Sequence, residues 1–216
     1  MVVQESLVAM AAADVRRLIV TGALAPGARV HEPPLAEQLE ISRPPLREAL
    51  RILESEGLLK QTPRRGYRVV EMTERDVEEI YSLRRALEMF ALDVLVADYD
   101  STVFDPLDEV MTRMRAAAAD NDHPAVVQCN IDFHLGVVAA TGHSRLLDAY
   151  RTLMGQMQVS MAANLATEAK SAGDLAHGCE RHERLLDSLR SGDRERIVKD
   201  FEEHGERDYL NRPGTE

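Results

Sequence analysis

Ser42-Arg43-Pro44-Pro45-Leu46-Arg47-Glu48-Ala49-Leu50-Arg51 places three arginines four residues apart on a strongly helical segment. Positions i, i+4 and i+8 drift slowly around a 3.6-residue helix, so Arg43, Arg47 and Arg51 form one stripe. Leu46, Leu50 and Leu53 fall on another face and ask to be buried. Ser42 suits an N-cap, and two prolines fit a first turn. An arginine front on an apolar back suits a DNA major groove, where arginine pairs bidentately with guanine. A solvated basic face is the bland alternative, and the flanks decide between them.

Upstream, Ala36-Glu37-Gln38-Leu39-Glu40-Ile41 reads as a short helix, only a few residues from the arginine helix, which is helix-turn-helix spacing. Downstream, Gly57 is the expected C-cap. Leu58-Leu59-Lys60-Gln61 and Tyr67-Arg68-Val69-Val70 then flank Thr62-Pro63-Arg64-Arg65-Gly66, which predicts a β-hairpin with a basic tip. Residues 7–24 supply a leading helix with Val8, Val15, Leu18 and Ile19 as its apolar stripe.

Thr21-Gly22-Ala23-Leu24-Ala25-Pro26-Gly27, Leu35-Ala36-Glu37, Ser42-Arg43-x-Pro45-x-Arg47-Glu48-Ala49-Leu50 and Glu56-Gly57-Leu58 together resemble the N-terminal domain of GntR-family transcription regulators. The resemblance implies a winged helix on a palindromic double-stranded DNA operator. It puts Arg43 and Arg47 at bases or phosphates and Arg64, Arg65 and Gly66 in the wing, and Arg51 continues the stripe as a further candidate DNA contact. The family often has an arginine where this chain has Pro33, so one expected DNA contact is missing.

At 216 residues the chain has room for two modest domains. Residues 1–72 carry ten Lys+Arg against nine Asp+Glu, and residues 73–216 carry sixteen against twenty-eight. The net charge of −11 is therefore wholly a property of the C-terminal part, as in a DNA-reading head on an acidic sensor body. No apolar run approaches a membrane span, and no basic leader opens the chain. Two cysteines suggest no disulfide framework. A cytoplasmic protein is expected.

Residues 73–216 read as helices throughout. Thr73 caps a run from Val77 to Leu95, and further helices are expected over 103–120, from Pro124 to about Thr141, from Ser144 to about Ala166, and over 174–190 and 193–210. The predicted fold class is mainly α, a winged helix-turn-helix over 1–72 followed by an antiparallel helical bundle over 73–216.

Three of those helices carry His134, His182 and His204, and Asn130 lies one turn before His134. Histidines on separate helices of one bundle can converge on a metal, or they can be three unrelated, hydrogen-bonded side chains. Asn130-x-x-Phe133-His134, Ala140-Thr141-Gly142-His143-x-x-Leu146 and His182-x-x-Leu185-Leu186-Asp187-x-Leu189 resemble the FCD ligand-binding domain, in its VanR-like six-helix type. In the metal-binding branch the resemblance maps an Asp and three His onto Asn130, His134, His182 and His204, with zinc or nickel the expected ion. The family's Asp is Asn in this chain. Arg84, four before Glu88, resembles an arginine that faces the FCD effector cavity and clamps a carboxylate; the alternative is a plain i,i+4 ion pair.

These readings converge on a homodimeric regulator of transcription, a repressor, released or engaged by a small carboxylate. A metal-dependent hydrolase fused to a DNA-binding head is the rival. It needs a general base beside the metal, and Asp132, the nearest carboxylate in sequence, points to another face than His134.

Overall fold

A computed structural model describes residues 6–63, 65–97, 99–168 and 174–210, without the side chains of 159–168, 174 and 205–210. The chain divides into two compact units, residues 1–80 with 151–170 and residues 81–150 with 171–216. Two helices contribute to both units.

In the first unit, helix α1 (Leu7–Val20) is capped by Ser6, whose hydroxyl accepts from Ala9 N at 3.2 Å. It stops short of residue 24 because Gly22 turns left-handed at φ +75°. Helix α2 (Glu32–Gln38) begins four residues before the expected Ala36 and ends at Gln38, with Glu40 at φ +54° in the turn. Pro33 and Pro34 explain the early start, since both fit a first helical turn.

Helix α3 (Arg43–Ser55) carries the arginine stripe. Ser42 occupies the N-cap with extended backbone, yet its side chain makes no capping hydrogen bond. The reason is chemical. A capping oxygen accepts from the N2 or N3 amide, and in α3 those positions are Pro44 and Pro45, which have none. Leu46, Ala49, Leu50 and Leu53 are fully buried against Val15, Ile19 and Leu35. Strands β1 (Leu59–Thr62) and β2 (Gly66–Val69) pair antiparallel, Leu59 opposite Val69 and Thr62 opposite Gly66.

Residues 151–168, the later part of helix α7 (Ser144–Glu168), also belong to this unit. Gly155 lies so close to the end of α3 that a Cβ there would overlap the Glu56 carbonyl. Thr152 donates to the Ser55 carbonyl at 3.5 Å.

Helix α4 (Glu74–Ala97) opens with a reciprocal cap, the Asp76 amide donating to the Thr73 hydroxyl and the Thr73 amide to the Asp76 carboxylate. From Tyr81 onward α4 belongs to the second unit. That unit also holds a 3-10 turn (Ser101–Phe104), α5 (Pro106–Ala119), α6 (His123–Ala139), the start of α7, α8 (Asp174–Ser191) and α9 (Arg194–Leu210). All but the turn fall within a few residues of the periodicity-based ranges. Helix α5 packs on α6 and α8, and α8 packs on α9. Phe104, Leu107, Met111, Met114, Phe133, Val137, Leu185, Leu189, Ile197 and Phe201 fill the space between them. Among the described residues, no helix is long and apolar enough to cross a membrane.

Candidate functional site

The second unit's histidines sit on the stripes that build its core. On α8, Cys179, His182, Leu185 and Leu189 share one face; on α9, Ile197, Phe201 and His204 do. On α6, Asn130, Phe133, His134 and Val137 are buried together. Helical periodicity thus drives three imidazoles inward, where ring centroids lie 4.3 Å (His182–His204), 5.0 Å (His134–His204) and 5.6 Å (His134–His182) apart. One ligand atom from each falls within 4.8 Å of the others. The ring of Phe133 stands edge-on to both His134 and His182.

Neighbouring acceptors orient the rings. His182 Nδ1 donates to the Gly178 carbonyl at 2.8 Å, and His134 Nδ1 lies 3.0 Å from Glu88 Oε1. Each of these bonds leaves the lone pair on Nε2, the tautomer a metal ligand needs, although at His134 that lone pair accepts from Arg84 Nη2, a bond that a metal there would displace. His182 Nε2 faces Asn130 Oδ1 at 2.8 Å, and His134 Nε2 faces His204 Nε2 at 3.0 Å. His204 Nδ1 is buried with no hydrogen-bond partner. Three inward-facing imidazoles, each with a ring nitrogen within reach of the others, are the kind of donor set a divalent transition metal takes. The residues fit a three-histidine metal centre with Asn130 as a neutral oxygen donor.

Burial pulls the His182 pKa down to about 3, with His134 adding to the shift, and pulls His204 well below its ordinary value. Both are neutral near pH 7, as ligation requires.

Arg84 and Glu88 complete the site, and they form the ion pair that was one of the two readings of Arg84. Arg84 Nε donates to Glu88 Oε1 at 2.9 Å, with both side chains buried. Arg84 Nη2 reaches His134 Nε2 at 2.8 Å. The Tyr150 hydroxyl donates to the same Glu88 oxygen at 2.5 Å. Burial pushes the Glu88 carboxyl up, but Arg84, with His134 and Tyr150, outweighs it and brings the group to about 2. Arg84 and Glu88 also line a pocket of about 260 Å³ with Tyr81, Met89, Phe201 and Glu202.

Glu88 was legible only as an ion-pair partner, and Tyr150 not at all, since it meets Glu88 from 62 residues away. Asp132 is held by Arg113 at 3.0 Å and Gln128 at 2.9 Å, so it is committed elsewhere. Cys179 is a buried thiol against the Met114 carbonyl.

In the first unit, Arg43, Arg47, Arg51 and Arg65 are exposed and Gly66 stands at the end of the hairpin turn with φ +78°. Arg64 lies outside the described residues. Arg47 Nε donates to Glu32 Oε2 at 2.7 Å, a partner that sequence reading missed because it comes from α2. Arg51 pairs with Glu48 at 3.2 Å.

The family model for bacterial regulatory proteins of the gntR family matches residues 7–69, and that for the FCD domain matches residues 79–207. The gluconate operon transcriptional repressor of Bacillus licheniformis is 28% identical, over 89% of this chain and 79% of that protein. A probable D-xylose utilization operon transcriptional repressor of Paenarthrobacter nicotinovorans is 31% identical, over 82% and 76%. The solved structure of E. coli McbR/YncC superposes with a TM-score of 0.77 at 27% identity, covering 95% of this chain and 96% of that one.

Proposed function

From the premise that the chain belongs to the GntR family of bacterial transcription regulators and carries an FCD domain, we propose that it is a homodimeric repressor relieved by a small carboxylate. The observation that carries the sensor half of this reading is the convergence of His134, His182 and His204 beside a pocket lined by Arg84. Two relatives, the repressor of a gluconate operon and a probable repressor of a D-xylose utilization operon, support repression of a catabolic operon. Gluconate is itself a carboxylate.

Arg43 and Arg47 would meet bases or phosphates, Arg51 would meet phosphate, and Arg64, Arg65 and Gly66 would form the touching edge of the wing. A single reading helix covers one half-site, so a palindromic operator calls for two copies. Leu83 and Phe90, 50% and 47% exposed at i and i+7 on α4, give a second copy an apolar face to cover.

His134, His182, His204 and Asn130 would hold a zinc- or nickel-like ion, which supplies a Lewis-acidic centre for a carboxylate oxygen. Arg84 would orient the ligand's other oxygens. Glu88 holds both Arg84 and His134 in place. The ligand shifts operator affinity only insofar as it binds the two arrangements of the dimer unequally.

The test is an operator-release assay on tag-free protein with elemental analysis alongside. Wild type is expected to retain zinc or nickel and to leave DNA on addition of one member of a panel of hydroxy and sugar acids. His204→Ala should lose the metal and the response while still binding operator. Release by neutral sugars alone, with His204→Ala fully responsive, would defeat the proposal.

A further inference from the structure

An acid stands inside the basic reading surface, where it works against DNA affinity. Glu32 is the first residue of α2, and its carboxylate accepts from Arg47 Nε on α3 at 2.7 Å. A carboxylate one hydrogen bond from an arginine weakens that arginine's pull on phosphate and repels the DNA backbone itself. The anchorage is firm. Pro33 and Pro34, whose rings lock φ, follow Glu32 directly, and buried Leu35 fastens α2 beneath α3. The Glu32 side chain is 21% exposed, against 60% for that of Arg47, so the acid is mostly covered while the arginine still projects to solvent. Among the described residues, Arg47 is the one arginine of the stripe tied to a second helix. Arg51 pairs with Glu48 of its own helix at 3.2 Å, an exposed pair that leaves its orientation loose.

The bond to Glu32 takes the Nε edge of the guanidinium. The two terminal nitrogens remain at the far end of the planar fork, spaced to donate together to guanine O6 and N7. Holding that plane before DNA arrives also spares part of the rotamer freedom an arginine otherwise loses on binding. Charge and entropy thus shift Arg47 in the same direction, away from phosphate and toward a base. We infer that Glu32 is a positioning residue for sequence specificity, holding Arg47 for an end-on, bidentate contact to one guanine in each half-site. The inference rests on the DNA-reading role of α3 proposed above and deepens it, because it assigns Arg47 to a base. Glu32 acts through Arg47 and is not itself a base contact.

The probe is a pool of random-sequence duplexes. Full-length wild type, Glu32→Ala, Glu32→Gln, Arg47→Ala and the double alanine variant each select sites at fixed salt, and sequencing gives the base preference at every position. Wild type is expected to enrich a two-fold symmetric site, and Arg47→Ala to lose about tenfold or more of the preference for one guanine per half-site. Glu32→Ala should lose most of that same preference and leave the other positions unchanged. Its binding to a duplex of scrambled sequence should meanwhile tighten, with a salt slope about one steeper, because the released arginine takes a phosphate. Glu32→Gln, which keeps the shape of the turn, should shift both readouts the same way to a smaller degree. In the Arg47→Ala background, Glu32→Ala should change no base preference. A role confined to the stability of α2 would instead lower the melting temperature of Glu32→Ala and weaken all sequences alike. That result, or an unchanged guanine preference in both Glu32 variants, overturns the inference while the DNA-reading role stands. So does an Arg47→Ala that loses no preference, or loses it at a base other than guanine. If wild type enriches no sequence, the DNA-reading role falls and the inference with it.

Discussion

The carboxylate of Glu88 accepts from Arg84, His134 and Tyr150 at once, and every one of these groups is buried. Replacing it with glutamine keeps the shape and strands the Arg84 charge. Glu88→Gln should therefore cost about 3–5 kcal/mol in chemical denaturation, as expected for a broken buried pair. A double replacement of Arg84 and Glu88 by methionine should recover much of that loss, because no lone charge remains.

His182 sets a pH dependence with a definite sign. Its folded pKa of about 3 lies below the ordinary value of 6.5, so between these limits the unfolded chain binds the extra proton. The contribution is complete above pH 6.5 and is lost as pH falls toward 3; Glu88, at about 2, adds a further loss below 4.5. Melting temperature should drop steadily from pH 7 to 5, and His182→Asn should flatten that slope; an unchanged slope would mean His182 is solvated in the folded chain. At this scale helical spacing put the three histidines and Asn130 on bundle helices, and the family resemblance singled them out, with Arg84, as a candidate site. Their partners across the bundle were not legible, since pairings 50 to 70 residues apart leave no local pattern.

Periodicity and caps made the helices of the second unit readable to within a few residues. Thr73, Pro124 and the Ser191-Gly192 break are each a local chemical signal. Helix α2 starts before the Ala36 that its local pattern suggests because its first turn is Glu32-Pro33-Pro34, where prolines lose no helical hydrogen bond. That early start sets Glu32 against Arg47. The 2.7 Å bond fixes the Nε edge of the guanidinium and leaves its two terminal nitrogens to act outward. Arg47→Ala is expected to cost about 1–3 kcal/mol of operator affinity if it reads a base. Affinity measured at several salt concentrations separates this from a phosphate contact, which would lower the salt slope by about one and weaken all sequences alike.

The acidic surplus lies on the residues matched to the FCD domain and beyond, while the reading helix and wing are locally basic. Screening over about 8 Å at physiological salt makes the charge next to a phosphate count for more than the total. The order of the two parts along the chain was plain from motifs. The later half of α7 joining the head's own unit was not, although a glycine inside a helical run, Met154-Gly155-Gln156, is a sign of close backbone approach. Gly155→Ala should destabilise the head by forcing its Cβ into the Glu56 carbonyl, with heat denaturation showing the loss.

The same packing bears on synthesis. Strand β1 and the end of α3 emerge early, yet the helical segment that covers Glu56, Gly57 and Leu58 is made only after the whole of α4, α5 and α6. The unit containing the reading helix is therefore completed by a long-range contact, of the slow-forming kind. A nascent chain stalled before residue 151 would carry every arginine proposed to contact DNA on a head whose last buttress does not yet exist. Operator binding by such a truncated product should be weak and protease-sensitive, which would spare the cell a fragment able to occupy the operator without sensing anything.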